Sequence, residues 1–454
     1  MRSAFIFRRD LRLVDNLGLI KACEESEVVC CFVLDPRQAQ DHAYRSLNAL
    51  EFMFRSLIEL DLALQEKGGR LVVFEGKPED AVRTLANGHD VKAVHVNEDY
   101  TPFSKERDKA LKAVCESLSV SFHQHFDLLL AKPGEVLTQQ GTPYTVFTPF
   151  FKSAINYSVP TPQPAPNGSF VSLDIGIDLQ EAFGRYVPNP NEQLAVNGGR
   201  SEGLELIERA TTLSEYGKKR DIPSLGYTTR LSAHHKFGTI SIRETYHAAR
   251  KAFGPGCKLI SELYWRDFYS HLAHFFPKVF GSAFKDDYAA VEWDDDQERF
   301  EKWCSGMTGF PIVDAGMREL VQTGYMHNRV RMVVASFLTK DLHIDWRLGE
   351  RFFARHLVDY DPAVNNGSWQ WASSTGADGA PYFRIFNPWS QQVRFDPDCE
   401  YIKKWIPELQ DVPAKALHKL ADARPLIMPD SYPQPMVDHS EEREEALRRF
   451  KVLG

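Results

Sequence analysis

An unbroken apolar run at residues 28–34, with the sequence VVCCFVL, constrains the fold more than any other feature of this chain. A strand with one face in water alternates apolar and polar residues, whereas a strand buried on both faces is apolar throughout. Strands of the second kind occur mainly in parallel sheets that are covered by helices on both sides. The run therefore predicts a layered α/β structure near the start of the chain.

Strand and helix patterns alternate on both sides of this run. Short segments typical of strands lie at residues 4–7, 71–74, 91–96 and 120–123. Helical patterns run from a cap at Asp15 or Asn16 to about residue 25, from 46 to 67, from Pro78, and from about Ser104. The alternation predicts a doubly wound, Rossmann-like parallel sheet. No G-x-G-x-x-G follows the first strand, so the sequence does not predict a dinucleotide site there.

The chain has 454 residues, which exceeds the size at which single hydrophobic cores stop growing. Residues 160–203 are rich in Pro, Asn and Gly, as is typical of a long surface linker. Helical patterns dominate after this segment. We therefore predict an α/β domain at 1–130, a linker at 131–203 and a large all-α domain at 204–454. The charge-dense segment 438–449 predicts one solvated helix.

Composition excludes several classes of protein. The seven cysteines contain no C-x-x-C, so neither zinc nor an iron–sulfur cluster is expected, and reduced thiols favour a cytoplasmic location. The first residues lack the apolar region of a signal peptide, and no apolar stretch is long enough to span a bilayer. The net charge of -8 does not predict a nucleic-acid binder by itself, although a local basic patch is compatible with it.

One candidate constellation is Glu262-Leu263-Tyr264-Trp265-Arg266. Glu262 and Arg266 are four residues apart on a predicted helix, so a plain surface ion pair is the simplest interpretation. The neighbouring Trp265 gives a second interpretation, because an exposed indole stacks well on a nucleic-acid base.

A second constellation follows Gly324, where Asn328, Arg331 and Met332 share one face of a predicted helix. Arginines that snorkel from a core helix would explain the pattern without any ligand. An Asn beside an Arg is costly to bury without partners, however, and a polar cofactor would supply them.

Two further segments carry polar groups at predicted helix starts. Pro362 holds Asp361 out of the helical conformation, so that Asp359 and Asp361 are able to point the same way. Trp369 and Trp371 would then lie on nearly opposite faces of the helix. The hydroxyls and amides of residues 227–232 precede another helix, where they would bind phosphate or serve only as a cap.

Taken together, these runs resemble the photolyase/cryptochrome family, and within it the class I cyclobutane-pyrimidine-dimer photolyases. The resemblance begins at FRRDLRL (7–13) and is strongest from 309 to 388. TGFPIVDAGMREL, GYMHNRVRM, FLTKDLHIDWRLGERFF, NNGSWQWASSTG and PYFRIFNP follow there in the family order. It implies an N-terminal α/β domain and a helical FAD-binding domain.

The resemblance also implies an FAD site. Its phosphate and ribityl contacts would be Tyr216, Thr228, Thr229, Arg230, Leu231 and Ser232. Arg266, Arg331, Asp359 and Asp361 would flank the flavin, and Asn365 would face its N5 atom. An amide there is able to donate or accept a hydrogen bond as the redox state of the ring changes.

The implied activity is light-driven repair by a carbon–carbon lyase, in which excited reduced FAD passes an electron to a cyclobutane dimer flipped out of DNA. The dimer pocket would comprise Glu262, Trp265, Asn328, Met332 and Trp371. Arg220, Arg329 and Arg384 would meet phosphates. Trp369, Trp346 and Trp293 would relay electrons from the surface to the flavin.

Two matters stay open at this stage. The alternative to repair is a cryptochrome-type photoreceptor. It is disfavoured because the dimer-pocket residues all match and no long extension follows the charged tail. An antenna chromophore, either a folate or an 8-hydroxy-5-deazaflavin, would lie at the carboxyl edge of the sheet near Asp99, Tyr100, Lys105 and Glu106, with His42 as a further contact. Folate-binding members carry Asn-Glu where this chain has Lys105-Glu106. A monomer that binds ultraviolet-damaged DNA is expected.

Overall fold

The computed structural model describes residues 1–421 and 428–451. In this part of the chain, a sheet of five parallel strands lies near the N-terminus, in the order β3-β2-β1-β4-β5. The strands are β1 Arg2–Phe7, β2 Glu27–Leu34, β3 Leu71–Glu75, β4 Val91–Asn97 and β5 Ser121–His125. The predicted doubly wound sheet is confirmed, and each strand lies within two residues of its predicted bounds.

Both faces of the central strands are covered, which explains the unbroken apolar run. Along β1, Phe5 and Phe7 pack into one core cluster. Their neighbours Ala4 and Ile6 pack into another on the opposite face. The two cysteines of the run divide in the same way, since Cys30 joins the first cluster and Cys31 the second. Successive side chains of a strand point to opposite faces, so each face needs its own apolar set.

The helices of the described residues surround this sheet and then form the rest of the structure. Those before the predicted helical domain are α1 Leu17–Glu25, α2 Pro36–Ala39, α3 Leu47–Gln65, α4 Pro78–Gly88, α5 Pro102–Ser117, α6 Phe147–Ala154, α7 Leu179–Tyr186 and α8 Arg200–Thr211. Those that follow are α9 Tyr216–Lys219, α10 Ser232–Phe237, α11 Ile242–Phe253, α12 Lys258–Phe275, α13 Gln297–Cys304, α14 Pro311–Thr323, α15 Asn328–Ser336, α16 Trp346–His356, α17 Pro362–Ser373, α18 Pro388–Phe395, α19 Glu400–Trp405, α20 Ala414–Leu417 and α21 His439–Lys451. Short 3-10 turns lie at Pro223–Leu225, Pro277–Val279, Asp286–Ala290 and Pro407–Leu409, and a π-helical turn lies at Phe337–Asp341.

The prediction of a purely superficial linker at 160–203 is wrong in part. Phe170 forms a parallel bridge with Val28 at the beginning of β2, and helix α7 packs on α3. Tyr186 of α7 is buried, and its hydroxyl donates to the Glu75 carboxylate at the end of β3. The sequence patterns of strands and helices are weak in this segment because its buried side chains are widely spaced. Phe170 and Tyr186 nevertheless fix it to the α/β sheet.

The helical part is built around a core that holds Trp303 and Trp369, both of which are fully buried. Helices α14 to α17 and the turns that connect them supply most of this core, and α17 also packs on α12. Asp361 caps α17 from an extended backbone conformation, as Pro362 predicts, and its carboxylate accepts from the amides of Ala363 and Val364. The candidate functional side chains project from the starts of α15 and α17 and from one side of α12.

The predicted C-terminal helix is present, but the prediction that it is solvated is wrong for one of its faces. Helix α21 is charged, but His439, Ala446 and Phe450 are buried on one side of it. These positions are separated by seven and four residues, which places them on one helical face. Among the described residues, no helix is both long enough and apolar enough to cross a bilayer.

Candidate functional site

An arginine–carboxylate pair connects α15 to the loop before α17. Arg331 donates from its two terminal nitrogens to the two oxygens of Asp359 at 3.2 and 3.0 Å, and its Nε donates to the carbonyl of Met326 at 2.7 Å. Asp359 raises the pKa of the Arg331 guanidinium, although burial opposes the shift. The fork-on-fork geometry fixes the guanidinium plane, which makes it a rigid wall for a planar ligand.

Asp361 lies two residues further on and joins this wall to the α/β part of the chain. Its carboxylate is bonded to the guanidinium of Arg9, which also donates to Asp99 at 3.4 Å and to the carbonyl of Lys236 at 3.1 Å. Burial favours the neutral form of Asp361, but the positive charges of Arg9, Lys236 and Arg266 outweigh it and lower the pKa of this carboxyl. Arg9 follows β1, so the loop after the first strand reaches the cap of α17. Nothing in the sequence alone indicated this contact.

Arg266, on α12, lies near the same network. It donates to the carbonyls of Leu128 and His235 at 2.8 and 3.1 Å. The simple ion pair between Glu262 and Arg266 is wrong, because Glu262 bonds instead to Arg220 at 2.6 Å and to Lys258 at 2.9 Å. The two side chains point to different surroundings, and a distant arginine replaces the local one.

The segment before α10 carries hydroxyls and strained backbone. Arg230 adopts a left-handed conformation with φ of 58°, which is costly for a residue with a Cβ. Its Nε is buried without a hydrogen-bond partner among the described residues. The Thr228 hydroxyl lies 3.5 Å from that of Tyr325, Leu231 is buried, and Ser232 begins α10 as predicted. Tyr216, at the start of α9, lies 5.7 Å from the Arg220 guanidinium.

These donors fit a dinucleotide such as FAD. The orphaned Nε of Arg230 requires an acceptor, and phosphate oxygens or ribityl hydroxyls provide one. The hydroxyls of Thr228, Thr229 and Ser232 come from the same short segment. The Arg331–Asp359 pair and Arg266 add fixed polar groups for a flavin ring.

Asn365 projects from α17 onto α16. Its Nδ2 donates to the Glu350 carbonyl at 3.0 Å and to the Glu350 carboxyl at 3.1 Å. Burial raises the pKa of Glu350 to about 7, and the bond from Asn365 opposes this only in part. The amide is thereby fixed by a group that changes charge near neutrality. The role of Glu350 was not predicted from the sequence. The only signal for it was that a buried Asn365 needs a polar partner.

The segment Arg220-Asp221 brings two distant constellations together. Arg220 bonds to Glu262 on α12, and Asp221 bonds to Arg329 near the start of α15 at 3.0 Å. Asn328 is exposed immediately before Arg329, and its Nδ2 lies 4.0 Å from the Met332 sulfur one turn later. Glu262 and Arg329 are therefore linked through the Arg220-Asp221 segment, and Asn328 and Met332 lie on the same helix as Arg329.

Aromatic rings line the adjacent space. Trp265 stacks face to face on Phe147 at 3.7 Å between ring centroids and lies 5.7 Å from Tyr269. Tyr269 and Trp371 line a cleft of about 380 Å³ with Gly367 and the loop 376–379. Trp265 is not among the described residues that line this cleft. Phe147 and Tyr269 belong to this group of aromatic rings around Trp265, but they were not predicted from the sequence.

Trp369 and Trp371 do point to opposite sides of α17. Trp371 packs near Phe386 and the cleft. Trp369 lies in the core, with Phe353 at 5.0 Å and Trp303 at 6.2 Å, and Gly349 lies against its ring. Trp346, at the start of α16, is buried in the same core. Trp293 is half-buried, and its ring packs edge-on against Phe450 of α21.

The loop before α18 is the most exposed apolar feature near the cleft. Phe383 is 62% exposed and adjoins the exposed Arg384. The signature PYFRIFNP contains both residues, but sequence reasoning selected only the arginine.

The predicted antenna residues lie in two places. Asp99 lines a cleft of about 220 Å³ with Arg8, Arg9, Asp10, Asn97, Glu98, Asp127 and Leu128, at the carboxyl ends of β1 and β4 where the strand order reverses. Tyr100 and Lys105 both contact His274 of α12. Glu106 is exposed, and His42 lies in an exposed loop bonded to Gln38. The described contacts do not connect His42 with the other candidates.

Comparison with known proteins agrees with this architecture. The family model for DNA photolyase matches residues 3–167, and the model for the FAD-binding domain of DNA photolyase matches residues 259–452. A curated relative from Halobacterium salinarum, a deoxyribodipyrimidine photo-lyase, is 37% identical over 98% of this chain and 98% of its own. The chain belongs to the DNA photolyase family.

Solved photolyase structures share the complete fold. An archaeal photolyase from Sulfolobus tokodaii, described with two FAD molecules, superposes with a TM-score of 0.90 at 41% identity and covers all of both chains. A class III photolyase from Agrobacterium tumefaciens superposes with a TM-score of 0.91 at 34% identity, over 100% of this chain and 98% of its own. The combination of sheet and helical FAD-binding domain is therefore that of photolyases, whereas the predicted membership of class I remains a proposal.

Proposed function

We propose that this protein is a deoxyribodipyrimidine photo-lyase that repairs cyclobutane pyrimidine dimers in DNA under light, as a cytoplasmic monomer of class I. The observation that carries the proposal is the convergence of Glu262 and Arg329 on the Arg220-Asp221 segment, with the exposed Asn328 next to Arg329 in the chain. Tyr269, on the helix that carries Glu262, lines an aromatic cleft. A polar surface next to aromatic rings matches a lesion with hydrogen-bonding base edges and apolar ring carbons. We keep the division into 1–130, 131–203 and 204–454 as part of this proposal.

The FAD cradle comprises the sequence-predicted residues around Arg331. Bound FAD supplies, when reduced and excited, the electron that opens the cyclobutane ring and that afterwards returns. Tyr216, Thr228, Thr229, Arg230, Leu231 and Ser232 hold the phosphates and ribityl chain; Arg266, Arg331, Asp359 and Asp361 hold the ring. Asn365 presents its amide to the flavin, and Glu350 fixes the orientation of that amide. The low-dielectric surroundings strengthen each of these contacts.

Substrate binding uses the polar and the apolar residues of the proposed dimer pocket differently. Glu262 and Asn328 bond to base edges, while Trp265, Met332 and Trp371, with Tyr269, exclude water from the dimer. A covalently joined dimer stacks poorly in the duplex, so its extrusion costs less than that of intact bases. Asn328 with Met332, and Trp369 with Trp371, favour the cyclobutane dimer over (6-4) photoproducts.

The DNA backbone meets a basic rim around the cleft. Arg220, Arg329 and Arg384 contact phosphates, so affinity falls as the salt concentration rises. Phe383 projects into solvent beside Arg384 and enters the gap that the flipped dimer leaves in the duplex. The overall acidic charge then matters less than the local field.

The antenna chromophore binds at the cleft after β1 and β4, where ligands of doubly wound sheets bind. Asp99 lines the cleft and Tyr100 adjoins it, whereas Lys105, Glu106 and His42 lie at or beyond its rim. The Sulfolobus tokodaii photolyase is described with a second FAD. We therefore place a flavin-type ligand, either a second FAD or an 8-hydroxy-5-deazaflavin, ahead of a folate.

Repair is tested by illuminating purified, reduced protein with an ultraviolet-damaged oligonucleotide. The expected result is loss of dimers and recovery of base absorbance. Glu262→Ala should lower the repair yield while FAD content stays constant. Glu298→Ala, which removes a similar exposed Glu–Lys pair on α13, serves as the matched control. Persistence of dimers with intact reduced flavin in the unmodified protein would overturn the assignment and favour a photoreceptor. Loss of FAD from the Glu262 variant would instead show that the division between cradle and pocket is wrong.

A further inference from the structure

We propose that helix α21 is a positioning element for the outer end of the tryptophan relay, acting mainly through Arg449 and Phe450. This inference rests on the proposed relay Trp369, Trp346 and Trp293. It assigns a role to the charged C-terminal segment, which the sequence indicated only as a solvated helix.

The relay's two outer tryptophans belong to segments that touch. The amide of Asp294 donates to the carbonyl of His343 at 2.8 Å, and Asp294 and Ile344 form a parallel bridge. Trp293 immediately precedes this bridge on one segment, and Trp346 follows it by two residues on the other. Any shear between the two segments therefore changes the separation of the two indoles.

Arg449 forms hydrogen bonds with both residues that adjoin Trp293 in the chain. Its guanidinium donates to the Asp294 carboxylate at 2.7 and 3.2 Å and to the Glu292 carbonyl at 3.0 Å. The side chain of Arg449 is mostly buried, so these bonds are less screened than those of exposed pairs. Three bonds that bracket a single residue restrict the backbone that carries the indole.

Phe450 holds the indole itself. It is 1% exposed and packs edge-on against Trp293, with 6.2 Å between centroids and 73° between planes. The Nζ atom of Lys340 lies 3.3 Å from the centre of the same phenyl ring, and burial lowers the pKa of this amine well below its usual range. Lys340 is fully buried on the π-helical turn and donates to the Ser373 carbonyl at 3.2 Å. The ring of Phe450 is thus packed between the Lys340 amine and the outermost tryptophan.

A second row of contacts attaches α21 to the segment that leads to Trp346. Glu442 bonds to His343 at 2.8 Å, and His439 bonds to Asp341 at 2.5 Å. One face of a single helix therefore binds both relay segments, at the residues next to their bridge. A helix that only covered a core would need apolar contacts, whereas α21 places directional bonds on both sides of Trp293.

The functional consequence concerns electron transfer rather than repair. Transfer between aromatic rings falls steeply as their separation grows, so a small displacement of Trp293 slows delivery of electrons from the surface. Repair by an enzyme that has already been reduced does not use this route. Loss of the proposed role should therefore slow photoreduction of FAD without slowing repair, whereas a general loss of stability would lower both rates.

The test uses three variants: Arg449→Ala, Phe450→Leu and the double variant that combines these two substitutions. Each is compared with the control variant Arg448→Ala. Arg448 is the matched control, because it is 68% exposed and its described partner is Glu445 alone. The first measurement is the rate at which light reduces oxidised FAD in the presence of an external thiol. The second is repair by dithionite-reduced enzyme, with FAD content and far-ultraviolet circular dichroism recorded for each protein.

We expect photoreduction to slow at least severalfold in Arg449→Ala and Phe450→Leu and further in the double variant, with repair and FAD content unchanged. Arg448→Ala should match the unmodified protein. Trp293→Phe tests the relay separately from the role of α21, since this substitution must block photoreduction if the relay exists. Blocked photoreduction in Trp293→Phe together with normal rates in the single variants would overturn the role of α21. Equal losses of photoreduction and repair in Phe450→Leu, which retains apolar bulk, would also overturn it.

Discussion

Gly349 is the position where a single methyl group should displace the tryptophan proposed to lie nearest the flavin. It lies inside α16, and a Cβ built there falls 2.2 Å from Cη2 and 2.6 Å from Cζ3 of Trp369, and 2.5 Å from Cδ2 of Leu338. Carbon atoms pack at about 3.5–4.0 Å. Accommodating alanine therefore requires a relative movement of more than about 1 Å between α16 and the indole.

The expected free-energy change has two parts of opposite sign. Overpacking of a filled core costs about 1–3 kcal/mol. Replacing glycine by alanine within a helix gains up to about 1 kcal/mol. Gly349→Ala should therefore destabilise the helical part by up to about 2 kcal/mol and slow photoreduction of FAD, because Trp369 moves with respect to both the flavin and Trp346.

The matched control is Gly184→Ala in α7, where a Cβ meets nothing within 4 Å. This variant should gain helix propensity without a steric cost and leave photoreduction unchanged. The free energy of unfolding is measured by denaturant titration followed by flavin fluorescence, and photoreduction by absorbance under illumination. If the two alanine variants shift stability and photoreduction by the same amounts, the packing argument is refuted.

Two further perturbations test the cradle and the DNA face. Burial raises the pKa of Glu350 to about 7, so its stabilising contribution is complete below about pH 4.5 and is lost as the pH rises through 7. Glu350→Gln should therefore be more stable than the unmodified protein at pH 8 by up to about 3 kcal/mol, a difference that should vanish near pH 4.5; a pH-independent difference in unfolding free energy would contradict this. Phe383→Ala should weaken binding to a dimer in duplex DNA about tenfold but barely affect single-stranded DNA, since only the duplex has a gap to fill. Titrations of both substrates measure the effect, and equal losses on the two would remove Phe383 from the interface.

The sequence predicted the sheet well, because its signals are local. The apolar run of β2 reports two buried faces, and Asn16 does cap α1 as the pattern indicated. The burial of one face of the charge-dense tail was not predicted, because the signal for that face is sparse. Its apolar face consists of few residues spaced seven and four apart, and the acids and bases between them dominate any average over the segment.

Predictions at the site depended on how far each partner lies along the chain. Asp361 as a cap follows from the adjacent Pro362, and the opposite orientations of Trp369 and Trp371 follow from helix geometry. The partner of Glu262 could not be predicted, because Arg220 lies 42 residues away and Arg266 satisfied the local rule. Tyr269 and Phe147 were missed since isolated aromatic residues usually belong to a core.

The bond from Arg9 to Asp361 has a consequence for protein engineering. A charged group left buried after the loss of its partner costs about 3–5 kcal/mol. A helical half expressed without the first strand would leave that carboxylate without its arginine partner, held by the amides of Ala363 and Val364 and by the nearby charges of Lys236 and Arg266. Chimeras that exchange the N-terminal half between relatives should therefore be more stable where the donor also brings an arginine at position 9.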